Sequence, residues 1–419
     1  MSEKNERVLD LDCVVIGGGV AALWVTNLLK RLGYATVLLT NSELGAGQSL
    51  AAQGVIHSGV KYLGLGARKS AAAEELSRMP AIWGRCLGGA ADPAEGQVNL
   101  DGVEVLSETQ LLWGPPGLFN RIAAGIARGR LQKKAERLDR AAHPPPFDSP
   151  RYRGELYRMG EPVLDPATLI ESLARGVAGL SHRVEWGANA ELKGERGCVR
   201  DVRLTPAGGP AVTLRAARWV FAAGAGNGAL IEQIGLPGVG MQRRPLCQVA
   251  VRAASLPPMY SVCLPFWRDG AVATLRGAEP KPAVVVTTHR DSRGRTLWYL
   301  GGQLAETGVE RSDAGQIDAA RQLMERLLPW VDFRRAEWSV HRVDRAEPAT
   351  SGGHRPSTAF CHTHGNVTVT WPTKLALAPD LAKRVLKDLG DPGSPGAGDG
   401  LDLPLPRAVV GRPPWEVSG

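Results

Sequence analysis

The sequence predicts an α/β protein, and the order of its first elements is the main reason. A strand-like apolar run near the N-terminus ends at three successive glycines, a helical period follows at once, and a second strand-like run comes after the helix. Among the 419 residues, 43% are hydrophobic and 22% are charged, which excludes a wholly disordered or collagen-like chain. At roughly 100–200 residues per domain, this length predicts about two to four domains.

The N-terminal region contains the predicted βαβ unit. Residues 12–16 (DCVVI) have strand composition, and Gly17-Gly18-Gly19 end the strand. Residues 20–32 show helical spacing, Gly33 suits the position after a helix end, and residues 35–40 (ATVLLT) return to strand composition. The apolar residues that share one face of the helix are Ala21, Val25, Leu28 and Leu32.

The glycines match a dinucleotide-binding pattern. Gly17, Gly19 and Ala22 fit G-x-G-x-x-G/A between a strand and a helix, the context that a Rossmann-like fold requires. The first glycine makes the tight turn, the second lets a pyrophosphate approach the backbone, and the helix N-terminus faces the phosphates. A glycine-rich turn that binds nothing is the alternative. The predicted binding residues in this turn are Gly17, Gly18, Gly19, Val20, Ala21 and Ala22.

The end of the second strand departs from that pattern. Such a strand normally ends in Asp or Glu, which binds the ribose hydroxyls of adenosine. Here Thr40 takes that position and Asn41 follows. A hydroxyl or an amide makes one such bond but lacks the bidentate contact of a carboxylate. We keep Thr40 and Asn41 as predicted cofactor contacts, with Glu43 in the following loop as the candidate substitute.

The charge and the cysteines restrict the class of protein. A net charge of +8 favours small anionic ligands and is too small to indicate nucleic-acid binding. The six cysteines lie far apart without metal-ligand spacing, which argues against zinc and against a disulfide framework and fits a reducing cytosol. The N-terminus is polar, and no apolar run approaches the roughly 18 residues of a membrane span. We therefore expect no metal, no membrane span and a cytoplasmic location.

The segment after the second strand resembles a known family. Residues 45–63 (GAGQSLAAQGVIHSGVKYL) are rich in small residues and contain one His and one Lys. They resemble the stretch GTSS…GxIHGGxRYL of the D-amino-acid oxidase superfamily of FAD enzymes, most closely its glycerol-3-phosphate dehydrogenase and L-2-hydroxyglutarate oxidase branches. In that superfamily the stretch passes the FAD phosphates and then the flavin ring. The resemblance implies cofactor contacts from Gly47, Gln48, Ser49, Gln53, Gly54, Val55 and Ile56.

Three later features extend the resemblance to most of residues 10–390. Asp165-Pro166 opens a helix with an N-cap and a proline at its first position, like the helix before the family's second FAD-domain strand. Residues 217–226 (ARWVFAAGAG) resemble the family's strand ending in AAG. Residues 371–379 (WPTKLALAP) resemble the loop that closes over the flavin pyrimidine, with Pro379 as the expected first residue of a helix. The implied contacts are Ala223, Gly224, Gly226, Thr373, Leu375, Ala376 and Leu377.

The family's FAD-binding domain is discontinuous and Rossmann-like, and the sequence permits the same division. We assign to it residues 8–90, 160–240 and 338–390. The remaining ranges, 91–159 and 241–337, then form a smaller α+β substrate domain with a mixed or antiparallel sheet. Strand-like runs such as residues 283–288 (AVVVTT) support this assignment. Residues 391–419 form a C-terminal tail rich in glycine and proline.

The resemblance also implies a reaction. A FAD-dependent oxidase or dehydrogenase transfers a hydride from a C–H bond of its substrate to flavin N5 and passes the electrons to O2, a quinone or another carrier. The implied substrate is a small anionic 2-hydroxy acid, amino acid or polyol phosphate. The protein supplies position, a proton acceptor and stabilisation of negative charge.

Four residues are candidates for that chemistry. His57 is the candidate general base, with packing beside the flavin as its alternative role. Lys374 would place positive charge near reduced flavin or bind a carboxylate, unless it is an ordinary surface lysine. Lys61 matches the Arg of GGxRYL, and Arg355 stands where family members often carry a substrate-facing Arg. The secondary candidates that flank this last region are Arg342, Arg345, His362 and His364.

Two other functions stay open at this point. A nicotinamide-dependent dehydrogenase would explain only the N-terminal βαβ unit. The presence of Thr40 in place of an acidic residue argues against this alternative. A non-catalytic flavin-binding or RNA-associated protein would account for the positive charge. Bound flavin is yellow whereas nicotinamide is not, and binding to RNA falls steeply with salt.

Overall fold

The structure is a computed structural model that describes residues 7–59, 71–114, 135–207, 209–264, 282–353, 356–393 and 403–416. The strands in chain order are β1 (Arg7–Ile16), β2 (Thr36–Thr40), β3 (Val105–Ser107), β4 (Gln110–Trp113), β5 (Ala135–Arg137), β6 (Leu156–Met159), β7 (Val163–Leu164), β8 (Ser181–Arg183), β9 (Ala190–Glu195), β10 (Cys198–Leu204), β11 (Val212–Phe221), β12 (Met241–Arg252), β13 (Ser261–Cys263), β14 (Val284–Arg290), β15 (Thr296–Gly301), β16 (Glu337–Pro348), β17 (Phe360–His364) and β18 (Val367–Trp371). The helices are α1 (Val20–Arg31), α2 (Ala71–Leu87), α3 (Pro166–Gly176), α4 (Asn227–Ile234), α5 (Gln303–Thr307), α6 (Asp313–Leu327) and α7 (Ala378–Lys387).

The first sheet has a parallel centre. Within the described ranges its strands run in the order β17-β18-β11-β1-β2-β8, and the β9–β10 hairpin pairs with the beginning of β11. β1 pairs in parallel with both β2 and β11, so that Ile16 lies opposite Leu39 and Phe221. The carboxyl ends of these three strands therefore meet at one edge, which is where ligands bind in open α/β sheets. All five residues of β2 are buried, as expected for a parallel strand covered on both faces.

Helices α1, α3 and α7 cover one face of the first sheet. Their buried apolar side chains form one cluster with Cys13, Val15 and Leu38. The other face packs against α4 and the β9–β10 hairpin. The predicted helix start at Asp165 is confirmed, because its side chain caps α3 by accepting the backbone N–H of Thr168 at 3.0 Å.

The second sheet is mostly antiparallel. Its described strands run in the order β16-β12-β15-β14-β13-β4-β6-β5, in which β13 and β4 form the parallel pair. Helix α6 packs on one face, where Ala320 and Met324 join a buried cluster with Val249 and Trp298. The sheet confirms the predicted α/β architecture with a second, mixed sheet. The sequence-based division ends the substrate domain at residue 337. Strand β16 of this sheet nevertheless continues to Pro348.

Several element boundaries differ from those expected. β1 begins at Arg7 instead of residue 12, because the early residues pair with β11 from Val212 onward. α7 begins at Ala378, so Pro379 is its second residue instead of its first. Proline is tolerated at either position because the N–H groups of the first turn have no helical acceptor.

The C-terminal tail packs against both sheets over residues 403–416. Leu403 and Leu405 are buried against the first sheet. Trp415 is 2% exposed and lies in a cluster with residues of β12 and β15. The tail therefore wraps the surface in this range and does not hang free.

In the described part of the chain, no helix has the length and apolar character needed to cross a bilayer. The same residues contain no group of three or more His, Cys, Asp or Glu side chains placed to hold a metal ion.

Candidate functional site

A cavity of about 1470 Å³ lies between the two sheets. Its floor consists of turns at the carboxyl edge of the first sheet, and its roof consists largely of β12 and β16 from the second sheet. The volume exceeds the roughly 300–1,000 Å³ of a site for a drug-sized ligand. The cavity therefore has room for a dinucleotide together with a small substrate.

The floor begins with the turn between β1 and α1. Gly17 has a φ of 138°, and a Cβ atom there would lie 2.3 Å from the carbonyl oxygen of Ala222. Neither the conformation nor the space permits a side chain. The backbone N–H of Val20 donates to Ser49 Oγ at 3.0 Å, and the N-terminus of α1 faces the cavity, where a phosphate would be attracted.

The end of β2 contributes less to the cavity than its position suggests. Thr40 is 2% exposed, and its Oγ1 donates to the carbonyl oxygen of Ser42 at 3.2 Å. A Cβ atom on Gly18 would lie 2.6 Å from the same Oγ1, so Thr40 fills the space beside the glycine turn. The cavity wall at this point is formed by Ser42 and Glu43, from the loop after the strand.

The loop after β18 supplies another part of the floor. Thr373 has a φ of 58°, a strained conformation for a residue with a side chain, and its Oγ1 donates to the carbonyl oxygen of Thr358 at 2.9 Å. The Lys374 N–H donates to the carbonyl oxygen of Pro372 at 2.6 Å, which closes the turn. Lys374 is 8% exposed, lines the cavity, and donates from Nζ to the carbonyl oxygen of Ser357 at 2.9 Å, so it is not a surface lysine.

His57 and Glu161 form a pair at the cavity wall. His57 lines the cavity, and its Nδ1 lies 3.3 Å from Oε2 of Glu161, a fully buried carboxylate. The other oxygen of Glu161 accepts the backbone N–H of Ser58 at 2.8 Å and the Ser58 hydroxyl at 2.9 Å. An imidazole that donates from Nδ1 carries its basic lone pair on Nε2. A buried carboxylate placed in this way can orient an imidazole to accept a proton.

The roof presents three cross-strand pairs from β12 and β16. In the antiparallel register, the pairs that line the cavity are Arg244 with Arg345, Leu246 with Val343, and Gln248 with His341. Side chains two residues apart along a strand share one face of the sheet. The roof is therefore charged at one end, apolar in the middle, and polar at the other end.

Two carboxylates lie beside the arginine pair. Glu306 Oε1 accepts Arg244 Nη2 at 3.4 Å and Arg345 Nη2 at 3.2 Å, and Glu347 Oε2 accepts Arg244 Nη1 at 3.2 Å. Like charges directly opposite on neighbouring strands repel each other, and Glu306 offsets this repulsion. Both guanidinium groups are largely buried, with side-chain exposures of 18% for Arg244 and 13% for Arg345.

The polar end of the roof is uncharged at neutral pH. Burial lowers the pKa of His341 to about 4, and the nearby positive charge of Arg252 acts in the same direction. His341 Nε2 lies 3.1 Å from Ser339 Oγ, and Gln248 Oε1 accepts the hydroxyl of Tyr299 at 3.0 Å. Since that pKa is far below 7, this end of the roof contributes hydrogen-bonding groups and no charge.

Two glutamines connect the floor to the roof. The Gln53 side-chain amide donates to the carbonyl oxygens of Val285 and Tyr299, each at 3.0 Å. Gln48 Oε1 accepts the backbone N–H of Ala346 at 3.2 Å. Both glutamines follow β2 in the chain, so the small-residue segment that forms part of the floor also sets the distance to the roof.

Many of the predicted site residues line the cavity. They are Gly18, Gly19, Val20, Ala21, Gly47, Gln48, Ser49, Gln53, Gly54, Val55, His57, Ala223, Gly224, Thr373, Lys374 and Leu375. Other predicted residues are not among the lining residues: Gly17, Ala22, Thr40, Asn41, Ile56, Gly226, Ala376 and Leu377. Lys61 and Arg355 lie outside the described residues. Which of these residues touch bound cofactor stays a prediction.

The secondary candidates separate into two groups. Arg345 and Arg342 both line the cavity, but the Arg342 guanidinium turns to Asp313, to which its Nη2 donates at 2.8 Å. His362 and His364 lie on β17 and are not among the lining residues.

Sequence reasoning missed Glu161 and most of the polar roof. The missed roof residues are Arg244, Gln248, Glu306 and His341. A signal existed on the strands, since polar residues at 244 and 248 flank Leu246 with a period of two, as residues at 341 and 345 flank Val343. Glu161 has no such signal, because its role depends on the approach of His57 from a distant part of the chain.

The residues present fit a flavin dinucleotide. The glycine turn and the N-terminus of α1 provide N–H groups for a pyrophosphate, and the cavity continues from them to Lys374 and His57. Residues 12–371 match the sequence model of a protein family that is described as FAD dependent oxidoreductase. The chain belongs to this family. It is a FAD-dependent oxidoreductase of the D-amino-acid oxidase superfamily, and its cofactor is FAD, not a nicotinamide.

Relatives of this flavoenzyme agree with the assignment. A probable FAD-dependent oxidoreductase from Pseudomonas aeruginosa is 41% identical over 415 residues, which cover 98% of this chain and 99% of the relative. A crystal structure of a FAD dependent oxidoreductase from Pseudomonas aeruginosa superposes with a TM-score of 0.78 at 38% identity, covering 98% and 99% of the two chains.

More distant structures share the fold. Glycine oxidase from Geobacillus kaustophilus superposes with a TM-score of 0.61 at 17% identity, covering 92% of this chain and 96% of its own. L-α-glycerophosphate oxidase from Mycoplasma pneumoniae, solved with FAD bound, has a TM-score of 0.62 at 14% identity and covers 94% and 100%.

Gly17→Ala is expected to abolish FAD binding. The added Cβ atom would meet the Ala222 carbonyl oxygen at 2.3 Å and displace the turn that begins the cavity floor. Gly33→Ala is the matched control, because Gly33 flanks the same helix with a φ of 83° and open space around it. Flavin absorbance per chain after incubation with FAD is the measurement. A Gly17→Ala protein with the flavin content of the control would contradict the assigned role of this turn.

Proposed function

We propose that this flavoenzyme oxidises a small anionic substrate at a carbon that carries a hydroxyl group, such as a 2-hydroxy acid or a polyol phosphate. In this proposal the first sheet and its helices form the FAD-binding domain, and the second sheet forms the substrate domain. Bound FAD supplies the hydride acceptor. The observation that carries the proposal is the His57–Glu161 pair on the wall of a cavity whose roof contains two arginines.

The arginine pair supports an anionic substrate. A guanidinium presents a planar fork that matches a carboxylate or a phosphate. The bonds from Arg244 to Glu306 and Glu347 measure 3.2–3.4 Å, and Arg345 reaches Glu306 at 3.2 Å. Well-formed charge-assisted bonds are shorter, at about 2.7–2.9 Å. A substrate anion that enters between the arginines would therefore make stronger bonds than those it replaces.

The His57–Glu161 pair supports a hydroxyl group at the reacting carbon. Loss of a hydride from such a carbon leaves a proton on oxygen that a base must accept. His57 Nε2 is suited to accept it, and the buried carboxylate of Glu161 stabilises the imidazolium that forms. An amine can enter with its nitrogen already deprotonated and needs no such base.

Lys374 supports stabilisation of the negative charge that accompanies the reaction. Lys374 lines the cavity and is 8% exposed, and a charge acts more strongly at a buried position than in water. The chain continues through a 3₁₀ turn at Leu375–Leu377 into α7, whose N-terminus adds partial positive charge. We assign Lys374 to this role, with binding of a substrate carboxylate as the alternative use.

Glu306 favours a second candidate substrate, an amino acid. A carboxylate beside two arginines would hold an ammonium group while the arginines hold the substrate carboxylate. The fold is compatible with either class, since both a glycine oxidase and a glycerophosphate oxidase share it.

Anaerobic mixing of the holoenzyme with three compound classes tests the choice. We expect 2-hydroxy acids or glycerol 3-phosphate to bleach the flavin absorbance and amino acids to leave it unchanged. Bleaching by amino acids alone would replace the first proposal by the second, and an unbleached flavin with all three classes would contradict both. Subsequent mixing with air or with a quinone then identifies the electron acceptor.

His57→Ala is expected to keep FAD and to slow flavin reduction by the active substrate roughly 10²–10⁴-fold, the usual contribution of a general base. Glu161→Gln should slow the reaction less, because the imidazole remains while its orienting carboxylate is lost. His362→Ala is the matched control, since this half-buried histidine contacts the carbonyl oxygen of Pro237 and does not line the cavity. Stopped-flow absorbance gives the rates. Equal flavin reduction rates for His57→Ala and His362→Ala would contradict the general-base role and would indicate that His57 only packs against its neighbours.

A further inference from the structure

The C-terminal strap, residues 403–416, begins on the first sheet. Arg183 N–H donates to the carbonyl oxygen of Pro406 at 2.8 Å, and Ala408 N–H donates to that of Ser181 at 3.2 Å. Both partners belong to β8, the edge strand of the described sheet. The strap therefore covers this edge with a short antiparallel pairing.

The other end of the strap is anchored in the second sheet. The Trp415 ring stacks on His289 with a centroid distance of 4.5 Å and meets Tyr299 edge-on at 4.8 Å. Arg252 Nη2 donates to the carbonyl oxygen of Trp415 at 2.5 Å. A buried aromatic side chain with a charge-assisted bond to its backbone is a firm anchor, so both ends of the strap are held.

Between its anchors the strap holds the loop that follows β2. Leu44 N–H donates to the carbonyl oxygen of Val409 at 2.8 Å, and Gly411 N–H donates to that of Leu44 at 2.9 Å. Gly411 lies directly against Glu43, because a Cβ atom on Gly411 would be 3.1 Å from Glu43 Oε2. The residues of this region that line the cavity are Ser42, Glu43, Arg412 and Pro414.

This is the place where β2 lacks the acid that a dinucleotide site normally has. Thr40 cannot replace that acid, because it is buried and its hydroxyl is engaged with Ser42. We propose that the C-terminal strap is part of the FAD site: it holds Glu43 so that its carboxylate binds the ribose hydroxyls of the adenosine half, the role that Thr40 leaves vacant. The proposal concerns the cofactor alone and does not depend on the substrate.

The physical reason for a strap is the position of Glu43 in a loop. A carboxylate accepts from two neighbouring hydroxyls at once, as neither Thr40 nor Asn41 can. An acid at a strand end is held by the sheet, whereas a loop residue must be ordered at an entropic cost each time it binds. The two backbone bonds between Leu44 and the strap order this loop before FAD arrives.

Displacement of FAD from the holoenzyme by nucleotides tests the carboxylate contact. Released flavin is followed by its fluorescence while ADP or 2′,3′-dideoxy-ADP is added. We expect ADP to displace FAD from the native protein at roughly 10–100-fold lower concentration than the dideoxy compound, the value of hydrogen bonds to a charged group. In Glu43→Gln this preference should fall several-fold, because the amide keeps one of the two bonds and loses the charge, and the FAD dissociation constant should rise by the same factor. Glu195→Gln, which removes an exposed carboxylate at the end of β9, is the matched control.

Two further variants test the strap itself. Gly411→Ala would place a Cβ atom 3.1 Å from Glu43 Oε2, so it should shift the Glu43 side chain slightly and lower the ADP preference less than Glu43→Gln does. Trp415→Ala removes the second anchor and should speed FAD release about tenfold or more. Far-UV circular dichroism confirms that each variant is folded. A native ADP preference and native FAD affinity in Glu43→Gln would overturn the proposal, and unchanged FAD release in Trp415→Ala would overturn the part assigned to the strap.

Discussion

The close approach of the β1–α1 turn to the end of β11 is the contact on which the cavity depends. A Cβ atom on Gly17 has no space beside the Ala222 carbonyl oxygen, so the two strand ends come together only because Gly17 has no side chain. Parallel pairing of β1 with β2 and β11 brings three strand ends to the same edge. That edge aims the N-terminus of α1 into the cavity and sets where the phosphates of a dinucleotide are attracted.

The roof then depends on how the second sheet is held above this edge. Gln53 and Gln48 connect the small-residue segment to β14, β15 and β16, and the C-terminal strap joins the two sheets from outside. Charge is balanced locally, because Glu306 and Glu347 accompany Arg244 and Arg345. The cavity thus contains positive side chains that are paired with carboxylates. The anionic substrate proposed above would exchange these pairs for stronger bonds, and no unpaired buried charge is needed before it binds.

Local sequence patterns identified many of the residues that line the cavity floor. The glycine turn, the helix cap at Asp165 and the segment around His57 depend on residues close together in the chain, so their chemistry is readable from spacing. The roof depends on the register of β12 against β16, whose paired residues 244 and 345 lie about a hundred positions apart. Glu161 reaches His57 across a similar separation. Thr40 shows the reverse case: its position predicts a cofactor contact, but tertiary packing buries its hydroxyl behind the wall.

In the proposed arrangement, the arginines of the second sheet face the FAD held on the first sheet. The most direct measurement is the change in flavin absorbance when the holoenzyme is titrated with oxalate, a carboxylate without a C–H bond to oxidise. We expect a saturable change in the native protein and about 10–100-fold weaker binding in Arg345→Met. Arg342→Met should bind oxalate as the native protein does, because the Arg342 guanidinium points to Asp313. Equal oxalate binding by Arg345→Met and Arg342→Met would contradict this arrangement.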